Sequence, residues 1–298
     1  MKFSVDDIKS RLFAYTPNLK QSWILLVVIT VCVVIVLIAA DQAIEVAFSD
    51  CDADTEWSEW THSLYHVYSY SDVYCDGFES GVILSNCLFV EWGILLFECL
   101  LGALVAVAVV ILGRNSGYVP VMPPRQPPLL WLALVPFTLS VGMAADMLTM
   151  WIPDIMEASF KTYLPTFISI VIVTPLLEEW LFRGIILKGL LTHYSPLKAI
   201  VWSSVMFGMM HIEPRVVVFA FCIGMTVGWI YWRTRSLWPC IFIHAINNAF
   251  AFYALEKPSF AELIGNYFIA ITIALFVCVL TGTWIKNNIV SCDMTSDM

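Results

Sequence analysis

Residues Trp23 to Ala40 form an apolar run in which Thr30 is the one clearly polar side chain. About 20 such residues wound as a helix cross a hydrocarbon layer of about 30 Å, where every backbone group has to be satisfied within the protein. Comparable runs recur at Val82 to Leu112, Leu129 to Trp151, Tyr163 to Leu191, Leu197 to His211, Val216 to Trp232, Trp238 to Leu255 and Glu262 to Ile285. The expected fold is therefore all-α, a polytopic membrane bundle of about eight transmembrane helices. A cleaved signal peptide competes for the first run, because basic residues precede it and Ala39 and Ala40 are small. Signal h-regions span only about 7 to 15 residues, so length favours a retained span.

Composition agrees with a lipid solvent. Of the 298 residues 13% are charged, against about 25% in soluble domains, and 60% are apolar. The net charge of -9 leaves no Lys/Arg cluster for phosphates, which excludes a nucleic-acid binder; a disordered tail and a secreted disulfide miniprotein are excluded by the same numbers.

Basic residues flanking spans stay in the cytoplasm. With the N-terminus inside, Lys2, Lys9, Arg11, Lys20, Arg114, Arg125, Lys188, Lys198, Arg233, Arg235 and Lys286 are expected to be cytoplasmic, while Lys161, Arg215 and Lys257 are external and Arg183 lies within a span. An even number of spans then puts both termini in the cytoplasm. The segment Asp41 to Glu79 holds ten acids and no Lys or Arg; it reads as an external acidic loop whose Trp57, Trp60, Tyr65, Tyr68, Tyr70 and Tyr74 suit the headgroup layer. Cys51 and Cys75 in this loop face an oxidising compartment and are a disulfide candidate. His62 and His66 stand at i,i+4, a metal pair if helical and otherwise a solvated surface pair. Pro120, Pro123, Pro124, Pro127 and Pro128 make a stiff cytoplasmic connector after the second run.

Ionisable groups are costly inside a membrane and mark a site, a pathway or a structural pair. They concentrate in the second half: Glu178, Glu179 and Arg183 on the fourth run, His211 ending the fifth, and His244 with Asn247 and Asn248 on the seventh. Counting from Lys188, Lys198 and Arg235, a rise of about 1.5 Å per residue sets Glu178, His211 and His244 at depths of roughly 15, 20 and 14 Å. Three neighbouring helices can thus direct them into one chamber. Glu179 and Arg183 share a helix face and are expected to pair, with Glu178 rotated away by about 100° and free to face the chamber. Pro175, just upstream, frees a backbone carbonyl and bends its helix. His244 and Asn248 stack on one face, as an interhelical contact or as donors to an oxyanion.

The segment Glu178-Glu179-Trp180-Leu181-Phe182-Arg183 resembles the E-E-x-x-x-R motif of the CPBP (Abi) family, which includes the type II CAAX prenyl endopeptidases and bacteriocin-processing or immunity proteins. Phe207 to His211 is similar to its F-x-x-x-H motif, and His244 to Asn248 to its H-x-x-x-N motif. The order is the family's, and the resemblance covers roughly Leu129 to Ile285. It implies three regions: residues 1–128 with two spans, an acidic loop (41–81) and the proline connector; a catalytic membrane core over 129–285; and a cytoplasmic tail, 286–298. It also implies an intramembrane endopeptidase acting on a lipidated or membrane-associated protein or peptide, in a bacterial inner membrane or a eukaryotic internal membrane. Glu178 is then the general base, His211 its partner in activating water, and His244 with Asn248 the oxyanion donors, supported by Glu179, Arg183, Phe207 and Asn247.

Amide hydrolysis by carboxylate and histidine needs no cofactor. The competing mechanism gathers Glu178, His211 and His244 around zinc, although no H-E-x-x-H spacing places two of those ligands on one helix. Two other functions compete: a non-catalytic scaffold or immunity protein using the same polar cluster, and a proton-coupled transporter in which Asp146 joins the relay.

Overall fold

The computed structural model describes residues 16–48, 96, 99–100, 102–103, 105–106, 125–153, 164–211, 213–254 and 267–291. All the regular structure among the described residues is helical: α1 (Leu19–Phe48), α2 (Pro128–Thr149), a composite rod α3 over 164–193, α4 (Pro196–Met209), α5 (Pro214–Thr234), α6 (Leu237–Ala254) and α7 (Tyr267–Asn288). Within α3, α-helical turns at Leu164–Ile168, Thr174–Glu179 and Lys188–His193 alternate with π-helical stretches at Ser169–Val173 and Trp180–Leu187. The disulfide candidate Cys51 and Cys75, the His62 and His66 pair, Pro120, Pro123, Pro124 and most of the second apolar run lie outside the described residues.

Local chemistry sets the helix starts. Asn18 Oδ1 accepts from the Gln21 N–H and Gln21 Oε1 from the Asn18 N–H, both at 3.0 Å, so α1 opens on a reciprocal cap that satisfies two otherwise orphaned donors. Pro128, Pro196 and Pro214 stand in the first turns of α2, α4 and α5, where the missing N–H costs nothing and φ is already helical. α5 stops at Arg235, which adopts a left-handed φ of 51°, and the Thr234 hydroxyl accepts the Ser236 N–H at 3.2 Å to begin the turn into α6.

One sequence expectation is corrected. Residues 41–48, read as the start of the external loop, continue α1; this stretch has neither Gly nor Pro and is rich in helix formers. Lys188 sits inside α3, within the run expected over Tyr163 to Leu191, and is buried.

α2 lies along α7 and also touches α5 and α6, α4 pairs with α5, and α6 packs on the central turns of α3. Close approach of α4 and α5 depends on small residues: a Cβ at Gly208 would stand 2.7 Å from the Val217 carbonyl oxygen, and one at Gly224 3.1 Å from the Ser204 Cβ. Leu134, Leu187, Leu190, Met206, Ile230, Ile243 and Ile285 fill the interior. The exterior is apolar too, with Leu132, Trp151, Phe268 and Val279 exposed, as expected where acyl chains are the solvent.

Among the described residues three helices are long and apolar enough to cross a membrane, Pro128–Thr149, Pro214–Thr234 and Phe268–Asn288, with shorter apolar helices at Leu19–Val31 and Leu237–Phe252. α4, expected as a full span, has 14 residues and reaches about 21 Å.

Gly208→Ala is expected to lower the thermal midpoint by several degrees, because a backbone oxygen rather than a mobile side-chain end must move. Gly184→Ala, whose nearest contacts are side-chain atoms at 3.4 Å, is expected to leave it nearly unchanged. Thermal unfolding in detergent checks both.

Candidate active site

The three sequence clusters arrive on three helices and share partners. Glu179, wholly buried, presents Oε1 to two donors at once: Arg183 Nη1 at 2.9 Å and His244 Nδ1 at 2.9 Å. A carboxylate oxygen already accepting from a guanidinium accepts again from the imidazole, so Nδ1 carries the hydrogen and Nε2 is the nitrogen turned toward other chemistry. Arg183 is likewise committed on several sides. Its Nη2 donates to the Gly224 carbonyl on α5 at 3.2 Å, and its guanidinium lies 4.7 Å from the Phe207 ring centroid, a cation held over a π face.

Phe207 is the hub of the aromatic contacts. Its ring meets Phe182, His211 and His244 edge-on, with centroids at 5.1, 5.4 and 5.6 Å, so both histidines flank one ring. His211 lies just beyond the last turn of α4 and its Nδ1 is 3.1 Å from the Phe207 carbonyl. A carbonyl only accepts, so Nδ1 is the donor and Nε2 is again the nitrogen left for other chemistry. The Phe207 carbonyl also accepts from the Met210 N–H at 3.3 Å, while its i+4 donor, the His211 N–H, turns to the Gly208 carbonyl, and the loosened last turn leaves the Phe207 oxygen open to the histidine side chain.

Glu178 sits one residue before the bridging carboxylate and takes a different direction. Its Oε2 is 3.8 Å from His244 Nε2, and that oxygen is buried without a hydrogen-bond partner. The gap exceeds a hydrogen bond. Asn248 Nδ2 donates to the Ile170 carbonyl at 2.8 Å, and Asn247 faces α2, where a Cβ on Gly142 would lie 3.0 Å from its Oδ1.

The expected Glu179–Arg183 pair is present, but the sequence reading assigned Glu179 support alone; it also holds His244, 65 positions away in the chain. The Gly224 carbonyl and the Ile170 carbonyl were missed, having no signal beyond Pro175. Asp146 pairs with Arg215 at 2.8 Å, both partly exposed. Among the described residues no group of three or more His, Cys, Asp or Glu side chains is arranged to hold a metal ion, and His244 Nδ1 is committed to Glu179.

A helical membrane domain with buried acid, base and amide groups on facing helices is the class this defines. Residues 160–250, which contain Glu178, Glu179, Arg183, Phe207, His211, His244, Asn247 and Asn248, match the family model described as type II CAAX prenyl endopeptidase Rce1-like. The match is narrower than the Leu129 to Ile285 expected from the motifs. The chain is also 34% identical over 87 residues to a Bacillus subtilis (strain 168) protein named "Putative membrane peptidase YdiL". That alignment covers 29% of this chain and 36% of the relative, so the chain spans little more than a third of the relative's length. No solved structure matches the chain.

Arg183→Met leaves Glu179 buried without its cation, and the expected loss of stability is about 3 to 5 kcal/mol. Adding Glu179→Gln in the same chain is expected to recover a large part of it, as read by chemical or thermal unfolding in micelles.

Proposed function

We propose that this protein is an intramembrane endopeptidase that hydrolyses a peptide bond in a lipidated or membrane-associated protein or peptide. The observation that carries the reading is the buried, unpartnered Oε2 of Glu178, 3.8 Å from His244 Nε2, within a domain matched to CAAX endopeptidases.

In this reading a water sits against Glu178, which takes a proton from it as the oxygen attacks the scissile carbonyl. His211, with Nε2 available, orients that water. The tetrahedral oxyanion is met by His244 and Asn248. Donation from His244 Nε2 requires hydrogens on both ring nitrogens, because Nδ1 already donates to Glu179. One Asn248 amide hydrogen is given to Ile170 and the second remains for the oxyanion, a donor worth roughly 3 to 4 kcal/mol in the transition state. Glu178 finally returns its proton to the leaving amine, completing hydrolysis with no cofactor. The polar cluster lies in an apolar bundle, which favours a substrate delivered by the bilayer, such as a prenylated C-terminal segment.

Glu178→Gln keeps size and hydrogen-bonding capacity but removes the base. Cleavage of a prenylated peptide by the purified protein is expected to fall by at least about a hundredfold, with thermal stability close to wild type. Cleavage at the wild-type rate by that variant would turn the reading toward a non-catalytic scaffold.

A further inference from the structure

Ile170 lies in the first π-helical stretch of α3, and its carbonyl has lost its main-chain options. In an α register its donor is the Thr174 N–H, but that group is bonded to Ser169 O. In a π register its donor is the N–H of residue 175, and residue 175 is proline, which has none. Within an apolar bundle a carbonyl left alone is costly. The group that serves it comes from another helix, Asn248 Nδ2 on α6, at 2.8 Å.

We infer that Pro175 is a positioning residue for the site: by withholding its own N–H, it reserves the Ile170 carbonyl for Asn248 and so fixes the direction of that amide. The inference rests on the proposed role of Asn248 only for its catalytic consequence; the Pro175–Asn248 coupling itself is a statement about the fold. The amide has two hydrogens in one plane, so anchoring one fixes the other. Pro175 stands three residues before Glu178, so the same backbone feature that admits the π turn sets the register in which Glu178 and Glu179 emerge. An alanine at 175 supplies an N–H that competes with Asn248 for Ile170.

The test is a double-mutant cycle on the full chain in micelles, using Asn248→Ala, Pro175→Ala and both together. Asn248→Ala is expected to lower the thermal midpoint by roughly 5 °C in the wild-type background and by less than half as much beside Pro175→Ala. Equal drops in the two backgrounds would overturn the inference. If Asn248→Ala alone does not fold, folding of the double variant is the expected rescue, and failure of both overturns the coupling. This cycle uses no substrate, so it stands or falls apart from the peptidase reading. On a prenylated peptide, Pro175→Ala is expected to lower kcat about tenfold with KM unchanged; an unchanged kcat would remove the positioning role.

Discussion

The site depends on a single carboxylate oxygen, Oε1 of Glu179, placed in an apolar bundle between a guanidinium and an imidazole, each at 2.9 Å. A buried carboxylate alone is prohibitively desolvated, so Glu179 requires both partners, and they arrive from different places. Arg183 follows on the same rod, bringing with it the Gly224 carbonyl of α5 and the Phe207 ring of α4. His244 comes from α6. One charge thereby ties four helices, and the ties fix which nitrogen of His244 faces Glu178. Burial of such pairs contributes little net stability; what it contributes here is direction.

Backbone groups obey the same constraint. α3 alternates α and π turns, and its displaced carbonyls are taken up by side chains of neighbouring helices: Ile170 O by Asn248 and Phe182 O by the Ser203 hydroxyl at 3.3 Å. π turns recur at functional sites because they re-aim side chains at a modest cost. In this rod they flank the short α segment Thr174–Glu179, from whose end both glutamates project.

Much of this was legible in the sequence, and the limits have physical causes. Apolar length gave the helical class, and the costliness of charge in lipid picked out Glu178, Glu179, Arg183, His211 and His244. Spacing of four predicted the Glu179–Arg183 pair, since helix geometry is local. The His244–Glu179 bond is not local, and no periodicity encodes a partner 65 residues away; two adjacent acids looked like one base and one structural group when the second in fact holds the histidine. Pro175 announced a freed carbonyl without saying which residue would serve it. The end of α1 was misjudged because Asp41 and Glu45 signal loop by charge, while Gln42, Ala43, Glu45 and Ala47 favour helix by propensity.

The central claim is that Glu179 holds the Nδ1 hydrogen of His244. Nitrogen-15 NMR of ring-labelled His244 in micelles tests it most directly. The account predicts a protonated Nδ1 whose hydrogen is shifted by a strong hydrogen bond and loses that shift in Glu179→Gln. A neutral ring with its hydrogen on Nε2 and a bare Nδ1 would contradict it.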